Sequence, residues 1–185
     1  MVAKSSNVTA AKPKVGGAIY SAPLGTDLPE NAIDPLNEVF KALGYVSEDG
    51  LTNEDTRESE EIKAWGGDVV ETPQTSKADK FKYTLIEMLN VDVLKEVYGE
   101  DNVKGDLSSG ITVKSNSKEL KPHVIIIEMV LKGGVLKRIV VPNAKVIEVG
   151  EINYKDSEVA GYETTVQALP DKNEDTHIEY IQSAG

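Results

Sequence analysis

The fold is decided by the stretch HVIIIEMVL at residues 123–131. In an extended strand successive side chains point to opposite faces, so this run is apolar on both of them. One face would carry Val124, Ile126 and Val130, and the other Ile125, Ile127, Met129 and Leu131. Only Glu128 interrupts the pattern. Such a strand is central in its sheet, or one of its faces is covered by a helix or a neighbouring subunit.

The same stretch begins a β-hairpin. Gly133-Gly134 supplies a turn into a second apolar strand at residues 135–141, and Pro142-Asn143 is expected to break that strand. Alternation and turn signals predict further strands. Two of them, at residues 57–65 and 69–75, are joined by a turn at Gly66-Gly67-Asp68. The others lie around Phe81, Tyr83 and Leu85 and at residues 144–149, 162–169 and 176–181.

Two short amphipathic helices are also predicted. The first has Asp34 as its N-cap, Pro35 at its first position and Gly44 after its end. Its apolar stripe has helical spacing and consists of Leu36, Val39, Phe40 and Leu43. The second is capped by Asn90 and closed by Gly99, and its apolar face consists of Val91, Leu94, Val97 and Tyr98.

These elements predict a mainly-β fold, an antiparallel β-sandwich or small barrel with one or two short flanking helices. We expect a long inter-strand loop and an extended N-terminal arm as well. The expected domain organisation is an arm at residues 1–30, a single β-sandwich domain at 31–181 that includes an assembly loop at 44–62, and a C-terminal tail at 182–185.

The loop is expected because of an acidic run. Residues 48–61 carry seven acids against one base, Arg57, and almost nothing apolar, too little to offset the entropy of ordering them. Long loops inside compact domains are usually functional or disordered. The run leads into the only tryptophan, Trp65. Two interpretations of Trp65 remain open, a core or rim residue of a hairpin and an aromatic anchor in an interface.

Composition excludes several classes of function. A net charge of −11 and an isoelectric point near 4.7 argue against a nucleic-acid binder. The absence of cysteine excludes disulfides, thiolate metal sites and cysteine nucleophiles. We expect no signal peptide, because no apolar run follows Lys4, and no membrane span.

No constellation of residues points to catalysis. His123 and His177 lack metal-ligand spacing and are expected to be solvated or capping residues at strand starts. Residues 171–175 copy the first half of a calcium loop, but Thr176 and Gln182 stand where glycine and glutamate are needed. We expect no enzyme activity, no cofactor and no metal.

The sequence resembles the major tail tube proteins of long, non-contractile-tailed (siphovirus-type) bacteriophages. The resemblance covers most of the chain, from residue 14 to about 170, as an ordered series rather than a catalytic signature. The stretches that carry it are KVGGAIYSAP at residues 14–23, LGYVSEDG at 43–50, IKAWGG at 62–67, KFKYTLIE at 80–87 and YGEDNV at 98–103.

This resemblance implies a structural role. Members of the family form β-sandwiches that assemble into hexameric rings, and the rings stack into a tail tube through which DNA is ejected. Implied partners are other copies of the chain, the tape measure protein in the lumen, and the tail terminator and tail-tip proteins. The implied location is the virion tail, after synthesis in the host bacterial cytoplasm.

Long loops and terminal arms bridge the rings in this family, so the candidate interface residues are those of the acidic run, the following hairpin and the arm. They are Glu48, Asp49, Glu54, Asp55, Arg57, Glu58 and Trp65, with Lys12, Lys14 and Tyr20 of the arm. The acidic charge either delays self-association or meets lysines of a neighbouring arm.

Two other functions are compatible with a β-rich chain. A monomeric carbohydrate or cell-surface binding module would need grouped exposed aromatic residues or a complete calcium site. An acid–base hydrolase would need a desolvated carboxylate or a placed histidine. The sequence shows neither arrangement.

Overall fold

The structure is a computed structural model and describes residues 2–184. Within those residues there are thirteen strands, one α-helix and three short 3-10 turns, at Ser5–Asn7, Glu100–Asn102 and Lys132–Gly134. The strands are β1 (Lys12–Pro13), β2 (Ile19–Pro23), β3 (Lys41–Ala42), β4 (Val46–Ser59), β5 (Ile62–Lys63), β6 (Val69–Glu71), β7 (Gln74–Leu85), β8 (Val103–Lys104), β9 (Thr112–Val113), β10 (His123–Val130), β11 (Val135–Val149), β12 (Tyr162–Ala168) and β13 (Ile178–Ser183). The helix, α1, is Val91–Tyr98.

Nine of the described strands form one antiparallel sheet. Its path is β3-β2-β10-β11-β12-β7-β4, with β1 also pairing with β10, and β13 with β11. The path ends at β3 and at β4, so the sheet is open. Its two halves enclose one apolar core, because Ile125 and Ile139 pack in the same cluster as Phe81 and Val166. The predicted mainly-β antiparallel fold is confirmed, with the closed-barrel form excluded for the described residues.

The predicted hairpin is the β10–β11 pair. Gly133 and Gly134 form its turn with φ of 74° and 77°, values that glycine adopts readily. The expected strand break at Pro142-Asn143 is wrong, because β11 continues through it to Val149. The register shifts opposite this point, between His123 and Ile125, and a bulge of this kind accommodates a proline that cannot donate to the ladder.

Strand β10 is central, and the chain itself covers both of its faces. Ile125 and Ile127 lie in the main core. Val124 and Ile126 lie in a second cluster, which Phe40, Leu28 and Leu36 cover from outside. No neighbouring subunit is needed to bury the second face.

Glu128, the one interruption in the apolar stretch, forms a buried ion pair. It lies opposite Arg138 in register, and Arg138 Nε donates to Glu128 Oε1 over 2.9 Å. Lys14 Nζ lies 2.9 Å from the other carboxylate oxygen. Arg138 also donates to the carbonyls of Asn31 and Asp34, at 2.7 and 2.8 Å, so it holds this segment against the second face of the sheet.

The first predicted helix, at residues 34–43, is wrong. The segment contains bends, a turn and strand β3 instead. Asn31 Oδ1 accepts the backbone N–H groups of Ile33 and Asp34, and Asn37 Oδ1 accepts that of Val39. Side-chain bonds of this kind compete with helix formation. The apolar residues also serve two different clusters, Phe40 in the outer one and Leu43 in the main core.

The second predicted helix is confirmed as α1. Asn90 Oδ1 accepts the N–H of Asp92 over 3.0 Å, and Gly99 follows the helix end with φ of 91°. Its buried residues include Val93, Leu94 and Val97, which pack on the main core. The amphipathic pattern identified this helix because a single face of it is buried.

The expected mobile loop at residues 48–61 is also wrong. Most of it lies in strand β4, which pairs with β7 from Leu51–Tyr83 to Ser59–Gln74. Strand β4 is ordered because its backbone pairs with β7, which is anchored in the core. Pairing through the backbone does not require apolar side chains on β4. The hairpin predicted from strands at 57–65 and 69–75 is shorter than expected, because only β5 and β6 pair at its end. Arg57 belongs to β4 and pairs with Lys77 of β7.

Parts of the expected N-terminal arm belong to the sheet. Strands β1 and β2, within residues 1–30, both pair with β10. At the other end, β13 extends to Ser183 along the first half of β11. The domain boundaries stated above stay predictions.

Candidate subunit interface

The most distinctive surface is the outer half of the β4–β7 strand pair. Phe81, Tyr83 and Leu85 of β7 are buried in the main core, whereas residues 52–77 are exposed on both faces apart from the half-buried Pro73. We call residues 52–77 the distal hairpin. Strand β7 therefore runs without interruption from solvent into the core, and the distal hairpin is an extension of the sheet.

The end of the distal hairpin is apolar. Strands β5 and β6 pair there, and Ala64 N donates to Asp68 O over 2.8 Å to close the turn. Ile62 and Val69 are 48% exposed, Val70 is 62% exposed, and Trp65 is fully exposed. Trp65 is therefore not a core residue of the hairpin. We call these four residues the tip.

Polar and charged side chains of β4 contact those of β7 along the distal hairpin and at its base. Glu54 lies opposite Lys80 in register, and Asp55 Oδ1 is 3.8 Å from Lys77 Nζ. Arg57 and Glu58 also form side-chain hydrogen bonds with residues of β7. Arg57 Nη1 donates to Gln74 Oε1 over 3.1 Å, and Ser76 Oγ donates to Glu58 Oε2 over 2.9 Å. Exposed contacts of this kind are individually weak, and the register also places Arg57 directly opposite Lys77, a like charge.

The base of the distal hairpin is held by a buried carboxylate, Asp79. Its Oδ1 accepts Asn53 Nδ2 over 2.8 Å, and its Oδ2 accepts Thr176 Oγ1 over 2.6 Å and contacts His177 Nδ1 at 2.5 Å. Burial raises the pKa of Asp79, but the hydrogen bonds from Thr176, His177 and Asn53 outweigh it and hold the pKa below its ordinary value. Strand β4, strand β7 and the segment before β13 thus meet at one side chain.

Both histidines are more buried than the sequence indicates. His177 packs edge-on against Phe81, with ring centroids 5.4 Å apart. His123 Nε2 lies 2.8 Å from Glu96 Oε1, and Ser21 Oγ donates to the other oxygen of Glu96 over 3.0 Å. Burial lowers the pKa of His123, but the Glu96 carboxylate outweighs it and raises the pKa overall. The expectation of solvated or capping histidines is wrong.

The other predicted interface residues lie away from the tip. Glu48 and Asp49 are exposed near the start of β4, beside a register irregularity at Gly50. Lys12 is exposed in β1, while Lys14 is engaged by Glu128. Tyr20 is half-buried against the outer cluster, and burial raises its pKa. One subunit therefore does not bring the acidic residues and the arm lysines together.

A second exposed apolar surface lies where β4 begins and β7 ends. Leu89 and Val159 are 68% and 76% exposed and line a shallow open cavity of about 680 Å³. Tyr45, 74% exposed, joins the same turn through its backbone, since Ile86 N donates to Tyr45 O over 3.1 Å. We call Tyr45, Leu89 and Val159 the basal patch. Sequence analysis missed it, and no local motif marks these three separated residues.

Three further observations concern metals, membranes and the calcium-like turn. Within residues 2–184, no cluster of three or more potential metal-ligating side chains occurs. None of the helices in the same range is long and apolar enough to span a bilayer. In the calcium-like segment, Asp171 Oδ1 accepts the N–H groups of Asn173 and Asp175, as in an ordinary polar turn.

Comparison with known proteins agrees with a structural role. The features above define a mainly-β protein with a projecting strand pair that is exposed on both faces. A family model described as "Phage tail tube protein" matches residues 4–184, nearly the whole chain. The chain belongs to the phage tail tube protein family. It is therefore a structural component of the virion tail and not an enzyme.

Other comparisons are more distant. No curated protein sequence matches the chain. Among solved structures, the chain is similar to one in the cryo-EM structure of the anti-feeding prophage cap (AFP tube terminating cap). The two are 12% identical with a TM-score of 0.47, over 97% of this chain and 98% of that one.

Proposed function

We propose that the protein is the repeating subunit of the tail tube in a phage with a long, non-contractile tail. Copies self-assemble into hexameric rings, and the rings stack into the conduit through which DNA is ejected. The observation that carries this proposal is the distal hairpin, exposed on both faces and ending in an apolar tip. Exposed apolar groups of this kind mark interaction sites in soluble proteins.

The distal hairpin is the assembly element in this proposal. Glu54, Asp55, Arg57, Glu58 and Trp65 lie on it, and Glu48 and Asp49 precede it within residues 44–62. Two-stranded ribbons with no apolar face are marginal in isolation. A contact with a neighbouring subunit would cover the tip and fix the ribbon in place.

Free strand edges support assembly within a ring. Strand β4 has a partner on one side only, and so does β13 along its pairing with β11. Unpaired edges are a liability in a monomer, and they are used up when another subunit adds a strand. Head-to-tail addition that closes gives a ring, and stacking then gives a tube.

The charge of the chain suits a conduit. A subunit with a net charge of −11 releases no condensed counterions from DNA, so the nucleic acid passes without being bound. We propose the tape measure protein as the lumen occupant during assembly, and tail terminator and tail-tip proteins as partners at the two ends. Synthesis takes place in the bacterial host cytoplasm.

A shortened hairpin tests the proposal. Glu58 and Ser76 face each other in register, so residues 59–75 are replaced by Asn-Gly, a pair that favours two-residue hairpin turns. The Asp79 contacts and the core stay unchanged. We expect the variant to unfold at nearly the wild-type temperature but to form no tubes by electron microscopy.

The control for this experiment is a variant with Leu107→Ala, an exposed residue outside the arm and the distal hairpin, which should form tubes normally. Tubes of normal appearance from the shortened chain would exclude the distal hairpin as the assembly element. A wild-type chain that stays monomeric at all protein concentrations, with or without its tail partners, would contradict the proposed function itself.

A further inference from the structure

The tip and the basal patch lie at opposite ends of the same strand. Strand β4 begins directly after Tyr45 and runs for 14 residues to Ser59, shortly before the tip. At about 3.3 Å per residue this separates the two surfaces by roughly 45 Å. They therefore cannot meet within one subunit, and each is left open to solvent.

The two surfaces also differ in shape. The tip presents Trp65 as a single projecting side chain at a tight turn. The basal patch borders a shallow open cavity that is lined by Ile86, Glu87, Met88, Leu89, Asn90, Val159 and Ala160. The walls come from the turn before α1 and from the loop before β12, which packs so closely that a Cβ on Gly161 would lie 3.0 Å from Leu85 O. The cavity is thus supported by the core.

We propose that Trp65 of one copy inserts into the basal cavity of a second copy, head to tail, so that the contact repeats along the tube. This inference rests on the proposed function, because it names the surface that the assembly element contacts. The occupant is a second copy of this chain, since the projection and the cavity are both present on it.

The chemistry of the cavity suits an indole. Its walls are mostly apolar, and a buried tryptophan also needs an acceptor for its N–H. Glu87 is at the cavity and is held in place, because Oε1 accepts Tyr45 N over 2.9 Å and Oε2 accepts Asn90 Nδ2 over 3.0 Å. An ionised carboxylate has about four acceptor sites, so Glu87 retains capacity for the indole N–H.

The geometry favours a repeating contact over a symmetric pair. A tip-to-tip contact would offer Trp65 no cavity and would bring together the acids Glu60 and Glu61 of both copies. A tip-to-cavity contact leaves each complex with one free tip and one free cavity. A contact between two different surfaces that does not close on itself generates a filament.

The chain suits a direct test because it has one tryptophan and no cysteine. Tube formation of the wild-type protein is followed by light scattering and electron microscopy, together with tryptophan emission and its quenching by acrylamide. We expect the emission to shift to the blue and the quenching to fall as tubes form. Leu89→Asp or Val159→Asp should abolish both changes, and Trp65→Phe should retain more assembly than Trp65→Ala.

Disulfide trapping identifies the surface in contact. An Ala64→Cys chain, which keeps Trp65, is mixed with a Val159→Cys chain, assembled and oxidised. We expect a disulfide-linked dimer on a non-reducing gel. The control is Ala64→Cys mixed with Leu107→Cys, another exposed position, which should give little dimer, as should Ala64→Cys alone.

Three outcomes would overturn the inference. Tubes in which Trp65 emission stays unshifted would show that the tip is not buried on assembly, although the proposed function would stand. A blue shift with trapping by Leu107→Cys and not by Val159→Cys would place the tip on a different surface. If the wild-type chain forms no tubes under any condition, the proposed function fails and this inference fails with it.

Discussion

His177 Nδ1 lies 2.5 Å from Asp79 Oδ2, and this contact ties the segment before β13 to the base of the distal hairpin. The same carboxylate also accepts hydrogen bonds from Asn53 of β4 and from Thr176 in the segment before β13. Asp79 is almost completely buried. A single side chain therefore decides where the hairpin leaves the body of the subunit.

Asp79→Ala should be strongly destabilising. It removes the acceptor of the hydrogen bonds from Asn53, Thr176 and His177, and a hydrogen bond to a charged group contributes about 1.5–3 kcal/mol. Urea denaturation of the subunit measures the change. The matched control is Asp55→Ala, because Asp55 lies opposite Asp79 in register but is exposed, and its loss should change stability by only about 0.5 kcal/mol. Equal effects of the two substitutions would contradict the role given to Asp79.

The Asp79 contacts should also make the free energy of unfolding depend on pH. A carboxyl group whose folded-state pKa is lowered binds its proton more readily in the unfolded chain, so its contribution is present above the unfolded pKa and is lost as the pH falls. For Asp79 the loss should begin near its ordinary value of 3.8 and continue below it. This loss is measured as the free energy of unfolding between neutral and acidic pH. The free energy of unfolding of Asp79→Ala should depend less on pH than that of the wild-type protein.

Arg138→Met should destabilise the subunit by about 3–5 kcal/mol, because it leaves Glu128 buried without its main partner. The double variant Arg138→Met/Glu128→Leu should recover most of that loss. The part not recovered reports the bonds from Arg138 to the carbonyls of Asn31 and Asp34 together with the lost contact between Lys14 and Glu128. Chemical denaturation of the four proteins forms a double-mutant cycle, and simple additivity would show that the pair is not coupled.

Gly44→Ala should destabilise the subunit more than Gly50→Ala does. The two glycines have nearly the same φ, 70° and 72°, so an alanine costs about 1–2 kcal/mol at either position from backbone strain. A Cβ at Gly44 would also lie 2.1 Å from Glu87 Cδ, whereas nothing lies within 4 Å of one at Gly50. Displacement of Glu87 should add about 1–3 kcal/mol. Thermal unfolding of both variants measures the difference, and equal values would mean that Glu87 moves aside freely.

Tube formation should be faster at high salt. The acidic hairpins of approaching subunits repel one another, and the screening length falls from about 10 Å at 0.1 M salt to about 3 Å at 1 M. Light scattering at both salt concentrations measures the rate. A Glu60→Gln/Glu61→Gln variant should depend less on salt. Slower assembly at high salt would instead favour attraction between the acidic run and the arm lysines of a neighbour.

The sequence predicts those elements whose burial follows a simple period. Strand β12 and helix α1 are predicted because their apolar residues recur at intervals of two or of about 3.6, and strand β10 is predicted because its apolar run is continuous. Residues 34–43 have helical spacing as well, but Asn31 and Asn37 engage the backbone, and Phe40 and Leu43 turn to different clusters. Spacing alone does not reveal that competition.

The candidate site was only partly predictable for a related reason. Trp65 stands out in the sequence as a lone aromatic beside two glycines. Strand β4 cannot be recognised in the sequence, because it is ordered by pairing with β7 and has no apolar pattern of its own. The basal patch joins residues 45, 89 and 159, and only the folded chain brings them to one place.

The uninterrupted course of β7 has a consequence for the geometry of any assembly. Because side chains alternate along a strand, the packing of Phe81 and Tyr83 fixes which way the residues of β7 face from the core out to Ser76, where the distal hairpin begins to lose this register. The direction in which the base of the distal hairpin leaves the subunit is therefore set inside the core. Repacking the core at these positions would change the angle at which successive subunits stack, even if every residue at the contact between them stayed the same.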